Sequence, residues 1–309
     1  MDKLAIPMRY EPEHYEFEFY FLPKNNISHK EVKKYCDWVS KNFASICAGS
    51  MTSDLNSEWI LRTYNSTKMV MASTLLLNSA KYCIEKNNLV SVPYLLYYAA
   101  FCACRSLIYV APIASTKTLD GLLKITHSKV LQIAPDVVSR LNLPLANEFK
   151  EKLYDLQYER ELFSYVFPAS GISDNVDFES VVNLCGFFVE LAELTGRRVQ
   201  NYIEKNYLQD ESHKSEASRT WQVLNKDIVS NLFQHKKKLR NGEQVITWID
   251  QEDWYRVDYI KRKVKYPCSI LFTMTEGMTE DFFGSWCKEN ITDEDFNPDS
   301  AWNIIFPIP

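Results

Sequence analysis

Apolar residues recur along most of this chain three and four positions apart, the spacing that gathers them on one face of a helix. Val32, Tyr35, Val39 and Phe43 form the first such series. Ahead of it, Ser28 and Glu31 have the form of a capping box, in which each side chain takes the other's free backbone amide. After a polar break over residues 49–56, Met69, Ala72, Leu76, Ala80 and Cys83 mark one face of a helix that begins near Ser57 or Ser66 and runs to Asn87. Ser91 and Pro93 open the next helix, because a proline in the first turn forfeits no hydrogen bond, and Pro112 closes it. A shorter element spans Leu119 to Ile133, followed by a loop that holds Pro135 and Pro144. Asn147 caps a helix with Phe149, Leu153, Leu156, Arg160 and Phe163, stopped by Pro168-Ala169-Ser170-Gly171. A long helix from Asp177 to Tyr207 turns Val181, Cys185, Phe188 and Ala192 inward, weakened at Gly196.

Two-residue alternation is confined to short stretches. Residues His14 to Phe21 read as a strand ending at Pro23. Gln209 to Ser218 is polar and reads as a linker. A helix with Trp221, Leu224, Ile228 and Leu232 on one face follows, closing on Lys236-Lys237-Lys238-Leu239-Arg240 and Asn241-Gly242. Val245 to Ile249, Trp254 to Tyr259 and Ser269 to Met274 then read as short strands. Glu276 to Asp299 is acidic, and the closing Trp302, Ile304, Ile305, Phe306 and Ile308 form an apolar tail expected to dock. The expected fold class is therefore mainly α: a helical bundle over residues 28–209, an N-terminal strand-like segment over 1–27, and a smaller mixed α/β C-terminal extension over 210–309.

Composition narrows this picture. Only 8 glycines and 12 prolines in 309 residues disfavour a sandwich or barrel, which needs frequent tight turns. A net charge of -5 gives no global attraction to nucleic acid, so any such binding needs a local basic patch. The start, Met1-Asp2-Lys3-Leu4, lacks the pattern of a secretory signal, which points to the cytoplasm. Of the 8 cysteines, Cys36, Cys83, Cys102, Cys104 and Cys185 fall in helical patterns, and no C-x-x-C pair occurs; reduced, buried thiols are expected. Val92 to Ala114 is long enough to cross a membrane, but Tyr94, Tyr97, Tyr98 and Tyr109 are spread through it and Arg105 would sit near its middle. A central buried helix is the expectation.

The segment Tyr97-Tyr98-Ala99-Ala100-Phe101-Cys102-Ala103-Cys104-Arg105-Ser106-Leu107-Ile108 resembles the tyrosine-alanine-aromatic-alanine helix of the HEPN superfamily, with Lys124-Ile125-Thr126-His127-Ser128 following at a similar distance. The resemblance covers roughly Ser66 to Tyr207. It implies a helical protein of bacterial defence or toxin–antitoxin systems, often dimeric, and often a metal-independent ribonuclease. The catalytic signature of such enzymes is an Arg with a His four to six residues later. This chain departs from it: Arg9 and His14 have the spacing but flank Pro12 in a terminal segment, and Arg240-Asn241 is followed by no His. RNA or nucleotide binding remains an expectation, as does a partner protein or a homodimer.

Within the bundle, Arg105, His127 and Arg160 are the polar residues that could form a catalytic site. Arg105, on an otherwise apolar helix, needs a phosphate or a carboxylate such as Glu159 or Glu161. His127 can serve as general base or be a partly exposed neighbour of a Thr126 or Ser128 cap. The cluster Tyr158 to Phe163 either lines a pocket or pairs along the surface. Farther on, Tyr255, Arg256, Tyr259, Lys261, Arg262, Lys263 and Lys265 could stack bases and hold phosphates, or form a solvated edge strand. These basic residues could equally meet the acidic stretch that follows them. No metal-ligand spacing and no cofactor fingerprint is present, so neither a metal nor a cofactor is expected.

Overall fold

A computed structural model describes residues 4–6, 17–113, 118–171, 177–207, 237–238, 244–245, 249–263, 268, 270–274, 276–288, 291–292 and 295–305. The protein is mainly helical. Helices α1 (Phe21–Lys24), α2 (His29–Cys47), α3 (Ser53–Glu85), α4 (Val92–Val110), α5 (Leu119–Leu123), α6 (His127–Val138), α7 (Leu143–Tyr165) and α8 (Phe178–Tyr207) build the body, and α9 (Gln251–Lys263), α10 (Ile270–Thr273) and α11 (Glu276–Gly284) return to it. Extended structure among the described residues amounts to two minimal antiparallel pairs. They are β1 (Leu4–Ile6) with β2 (Phe17–Phe19), and β3 (Lys237–Lys238) with β4 (Gln244–Val245).

The capping box forms as expected: Ser28 Oγ accepts from the Glu31 amide, and the Glu31 carboxylate accepts from the Ser28 amide at 2.8 Å. Helix α3 starts earlier than its apolar pattern shows, because Thr52 caps it and its buried face is largely polar. Thr63, Asn65, Thr67 and Thr74 return hydrogen bonds to carbonyls one turn back. Ser66 and Ser73 instead donate across to the Ser106 and Ala99 carbonyls of α4, at 2.7 and 2.8 Å. Such bonds need the two backbones close together, which the fully buried Ala99, Ala100 and Ala103 permit. Helix α4 with its preceding turn is long and apolar enough to cross a membrane by length and composition, but two thirds of that window is buried inside the protein.

The expected element over Leu119 to Ile133 is in fact two helices, α5 and α6. Pro135 lies inside α6, and burial of Val130, Leu131, Ala134, Val137 and Val138 holds the helix together past it. Asn142, not Asn147, caps α7, its side chain accepting from the Leu145 amide at 2.9 Å, with Pro144 in the first turn. The eight cysteines are free.

Both ends of the chain depart from the strand-like reading. After the three residues of β2 the chain turns into α1, whose amino end rests on a buried carboxylate of α8. The Tyr20 and Leu22 amides donate to Glu190 at 2.5 and 2.8 Å. The Phe21 ring fills the space where a Cβ on Gly186 would lie, only 2.3 Å from it. Burial pushes the Glu190 carboxyl up to about 7, against the three backbone amides that favour its charged form. Because this value lies above the ordinary carboxyl range, the associated stability is fully present below about pH 4.5 and is lost as pH rises through about 7, a change on the order of 3 kcal/mol. Urea unfolding at pH 5, 6, 7 and 8 is expected to show wild type losing stability relative to Glu190→Gln across that window. A constant difference between the two would contradict this.

Toward the other end, Trp254 to Tyr259 lies within α9 and residues 270–273 form α10, so the mixed α/β extension gives way to helices. The buried face of α9 is Asp253, Val257 and Ile260. Asp253 accepts from the Tyr64 hydroxyl at 2.5 Å and from Lys68 Nζ at 2.7 Å, tying α9 to α3. Thr67 and Thr273 share a hydroxyl bond of 2.5 Å. Asn78 Nδ2 donates to the Pro298 carbonyl, and the tail is docked at Ile305. The expected helix from Trp221 to Leu232, the linker before it, and Phe306 and Ile308 lie outside the described residues. A continuous set of buried apolar side chains runs from Phe19 to Ile305.

Candidate functional site

Three helices bring Arg105, His127 and Arg160 to one place. Helix α4 carries Tyr97, Phe101, Arg105 and Tyr109 at four-residue intervals, a spacing that keeps them on one stripe. His127 is the first residue of α6, and Arg160 lies in the last two turns of α7. The imidazole of His127 stacks on Phe101, centroids 4.2 Å apart and planes 19° from parallel. Tyr98, partly exposed, meets the same imidazole edge-on at 5.9 Å.

The Tyr97 hydroxyl lies 2.8 Å from His127 Nδ1. That bond governs what the other nitrogen can do. A phenol that donates to Nδ1 leaves Nε2–H as a donor, and one that accepts from Nδ1–H leaves Nε2 free to act as a base. The Arg160 guanidinium sits 4.9 Å over the Tyr97 ring, hydrogen-bonds its hydroxyl, and pairs with Glu161 at 3.1 Å. Arg105 donates a short bond to the Tyr109 hydroxyl, with its guanidinium 5.2 Å from that ring. The carboxylate expected beside Arg105 goes elsewhere. Glu161 turns to Arg160, while Glu159 lines a separate groove with Asp155. The Nε atoms of Arg105 and Arg160 are buried and find no hydrogen-bond acceptor among the described residues.

Electrostatics follow from this arrangement. Burial first, then the charges of Arg160 and Arg105, holds His127 below the usual imidazole range, so it is neutral at pH 7. Burial raises Tyr97, which stays a neutral phenol. Among the described residues the cluster holds two guanidinium groups, a neutral imidazole and the Glu161 carboxylate paired with Arg160, leaving local positive charge in a chain of net charge -5. Such a cluster can hold an oxyanion, and its imidazole can exchange a proton with it. Thr126 occupies the cap position of α6 but its side chain makes no capping bond.

The second group of candidates stands apart. Tyr255 and Tyr259 are exposed one turn apart on α9, whereas Arg256 reaches the hydroxyl of Tyr64. Lys261, Arg262 and Lys263 belong to the last turn of α9, and Lys265 lies outside the described residues. The edge-strand expectation for this segment is thereby replaced by a helix. Among the described residues no group of three or more His, Cys, Asp or Glu is placed to hold a metal ion.

Tyr97, Tyr98, Phe101 and Tyr109 are the site residues that pattern reading missed. The signal was present as the four-residue repeat ending in a lone arginine and a tyrosine, masked by the apolar character of the whole helix. Comparison with protein-family models, curated proteins and solved structures finds no match to this chain.

Proposed function

We propose that this is a HEPN-like protein of a bacterial defence or toxin–antitoxin system, acting in the cytoplasm, that engages RNA or a nucleotide through its phosphate between Arg105 and Arg160. The observation that carries the reading is the convergence of two guanidinium groups on a neutral, half-buried His127. Cleavage of the bound strand is the activity that the family resemblance implies. In the tautomer with Nε2 free, His127 takes the proton of the ribose 2′-hydroxyl as that oxygen bonds to phosphorus. The bond from phosphorus to the 5′-oxygen breaks, and the departing oxygen takes a proton from water. Arg105 and Arg160 offset the charge gathering on the phosphoryl oxygens. The products are a 2′,3′-cyclic phosphate and a 5′-hydroxyl.

The test is incubation of purified protein with a defined single-stranded RNA, with and without chelator, beside the Arg105→Ala/His127→Ala variant. The expected result is RNA binding in both conditions, with chelator-resistant cleavage to cyclic phosphate ends that the variant loses. RNA bound but intact would limit the function to binding. RNA and nucleotides left unbound by the wild type would overturn the reading and leave a helical subunit that docks a partner protein.

A further inference from the structure

Helix α7 presents an aromatic ridge to solvent. Tyr154, Tyr158 and Tyr165 are 41%, 66% and 81% exposed. At a hundred degrees per residue they lie within about 40° of one another around the helix and span about 16 Å along it. Val166 and Phe167 extend the ridge past the helix end, 68% and 63% exposed. Phe167 does so with φ of 49°, a left-handed conformation that bulky side chains seldom adopt. Scattered exposed apolar residues are ordinary, but five large ones gathered on α7 and its end, broken only by Glu161, are not.

The next face of the same helix is acidic. Asp155 and Glu159 each follow a ridge tyrosine by one residue, are exposed, and border a groove of about 510 Å³ between α7, the start of α4 and the start of α8. The floor of that groove is apolar, with Leu96, Leu156 and Phe163. Burial raises the Glu159 carboxyl, and the charge of Asp155 one turn away raises it further, against a smaller opposing effect of Lys152. The neighbouring cation, Lys152, is paired with Asp177 at 3.1 Å.

We propose that the tyrosine ridge and the acidic groove beside it form a docking surface for a basic, amphipathic segment of a partner protein. Apolar residues of that segment pack on the ridge while a Lys or Arg enters the groove. The groove lining carries three carboxylates, Asp155, Glu159 and Asp177, against one cation, Lys152, and cations are attracted both to such a surplus and to tyrosine faces, so the two halves of the surface select the same chemistry. A second copy of this chain fits poorly, because an isologous contact would set Asp155 and Glu159 against themselves. RNA is repelled for the same reason. Arg160 lies about 140° around α7 from the middle of the ridge, so the ridge tyrosines are not on the stripe that meets Tyr97 and His127.

The experiment uses a fluorescent amphipathic peptide of Leu with Lys and Arg, and its Leu–Glu counterpart, titrated into the full chain. The wild type is expected to bind the basic peptide and not the acidic one. Tyr158→Ser/Tyr165→Ser and Asp155→Asn/Glu159→Gln are each expected to weaken binding by about tenfold or more. The control Glu252→Gln/Glu280→Gln, which removes two exposed carboxylates elsewhere, should leave it unchanged. All these positions are exposed, so folding is not at stake. Equal binding by every variant would overturn the proposal. So would a wild-type dimer that Tyr158→Ser/Tyr165→Ser dissociates, which would identify a second copy as the occupant, or loss of RNA binding in that variant.

Discussion

Arg160→Ala is expected to weaken binding of single-stranded RNA by about 10- to 100-fold at fixed salt, the equivalent of losing one charge-assisted contact of about 1.5–3 kcal/mol. Arg160 ties the cleft together. Its guanidinium covers the Tyr97 ring, bonds the hydroxyl that holds His127, and is anchored by Glu161. Removing it takes away a phosphate donor and also leaves Glu161, which accepts from Gln157 at 2.9 Å, as an uncompensated charge facing the ligand. The slope of log affinity against log salt should fall by about 0.7 for the lost contact on a single strand. Arg160→Lys keeps the charge but loses the planar fork, so its affinity should fall between wild type and alanine. Fluorescence anisotropy over a salt series checks both. An affinity and slope unchanged in Arg160→Ala would remove the phosphate from this cleft.

The second large effect concerns the frame that holds the three helices together. Phe187→Ala is expected to lower the unfolding free energy by about 3–5 kcal/mol, a large fraction of the roughly 5–15 kcal/mol of a typical domain. Phe187 is fully buried on α8, its ring centroid 5.0 Å from that of Phe149 on α7 and in an edge-to-face arrangement. Phe188 packs on Phe149 as well, at 5.8 Å. Truncation leaves a cavity whose walls are long helices, which cannot collapse independently to fill it. Urea unfolding followed by tryptophan fluorescence measures this, with the midpoint shifted and the slope retained. A loss under about 1 kcal/mol would mean that α7 and α8 repack around the missing ring, contrary to an interdigitated core.

Much of the helical body was legible because its signals are local. Ser28 and Glu31 announce α2, Ser91 and Pro93 announce α4, and the long apolar face announces α8, all within a few residues of the structures they specify. The polar exceptions on apolar helices, Arg105 and Arg160, together with His127, were legible as a possible cluster for the same reason. What escaped was decided by distant partners. Trp254 to Tyr259 has the aromatic content of a strand, yet its buried face is set by Asp253 bonding to Tyr64, 189 residues earlier. The polar buried face of α3 hid its true start, since Asn56, Ser57, Arg62 and Thr63 look like surface residues until α4 and the C-terminal helices are placed beside them. Which of Glu159 and Glu161 turns toward an arginine depends on the rotation of α7 against α4, and one-residue differences in phase leave no trace in composition.

The measurement that tests the central claim most directly is the titration of His127 by NMR in the free protein and with a saturating short single-stranded RNA, with His127→Gln identifying the resonance. In the free protein the midpoint should lie below the ordinary imidazole value of 6.5, because burial and two arginines disfavour the charged ring. A phosphate held between Arg105 and Arg160 offsets those charges and favours the imidazolium, so RNA should raise the midpoint. A midpoint that starts low and rises with RNA is the result this account predicts. A midpoint at or above 6.5, or one that RNA leaves unmoved while RNA is demonstrably bound, would place the ligand elsewhere and contradict it.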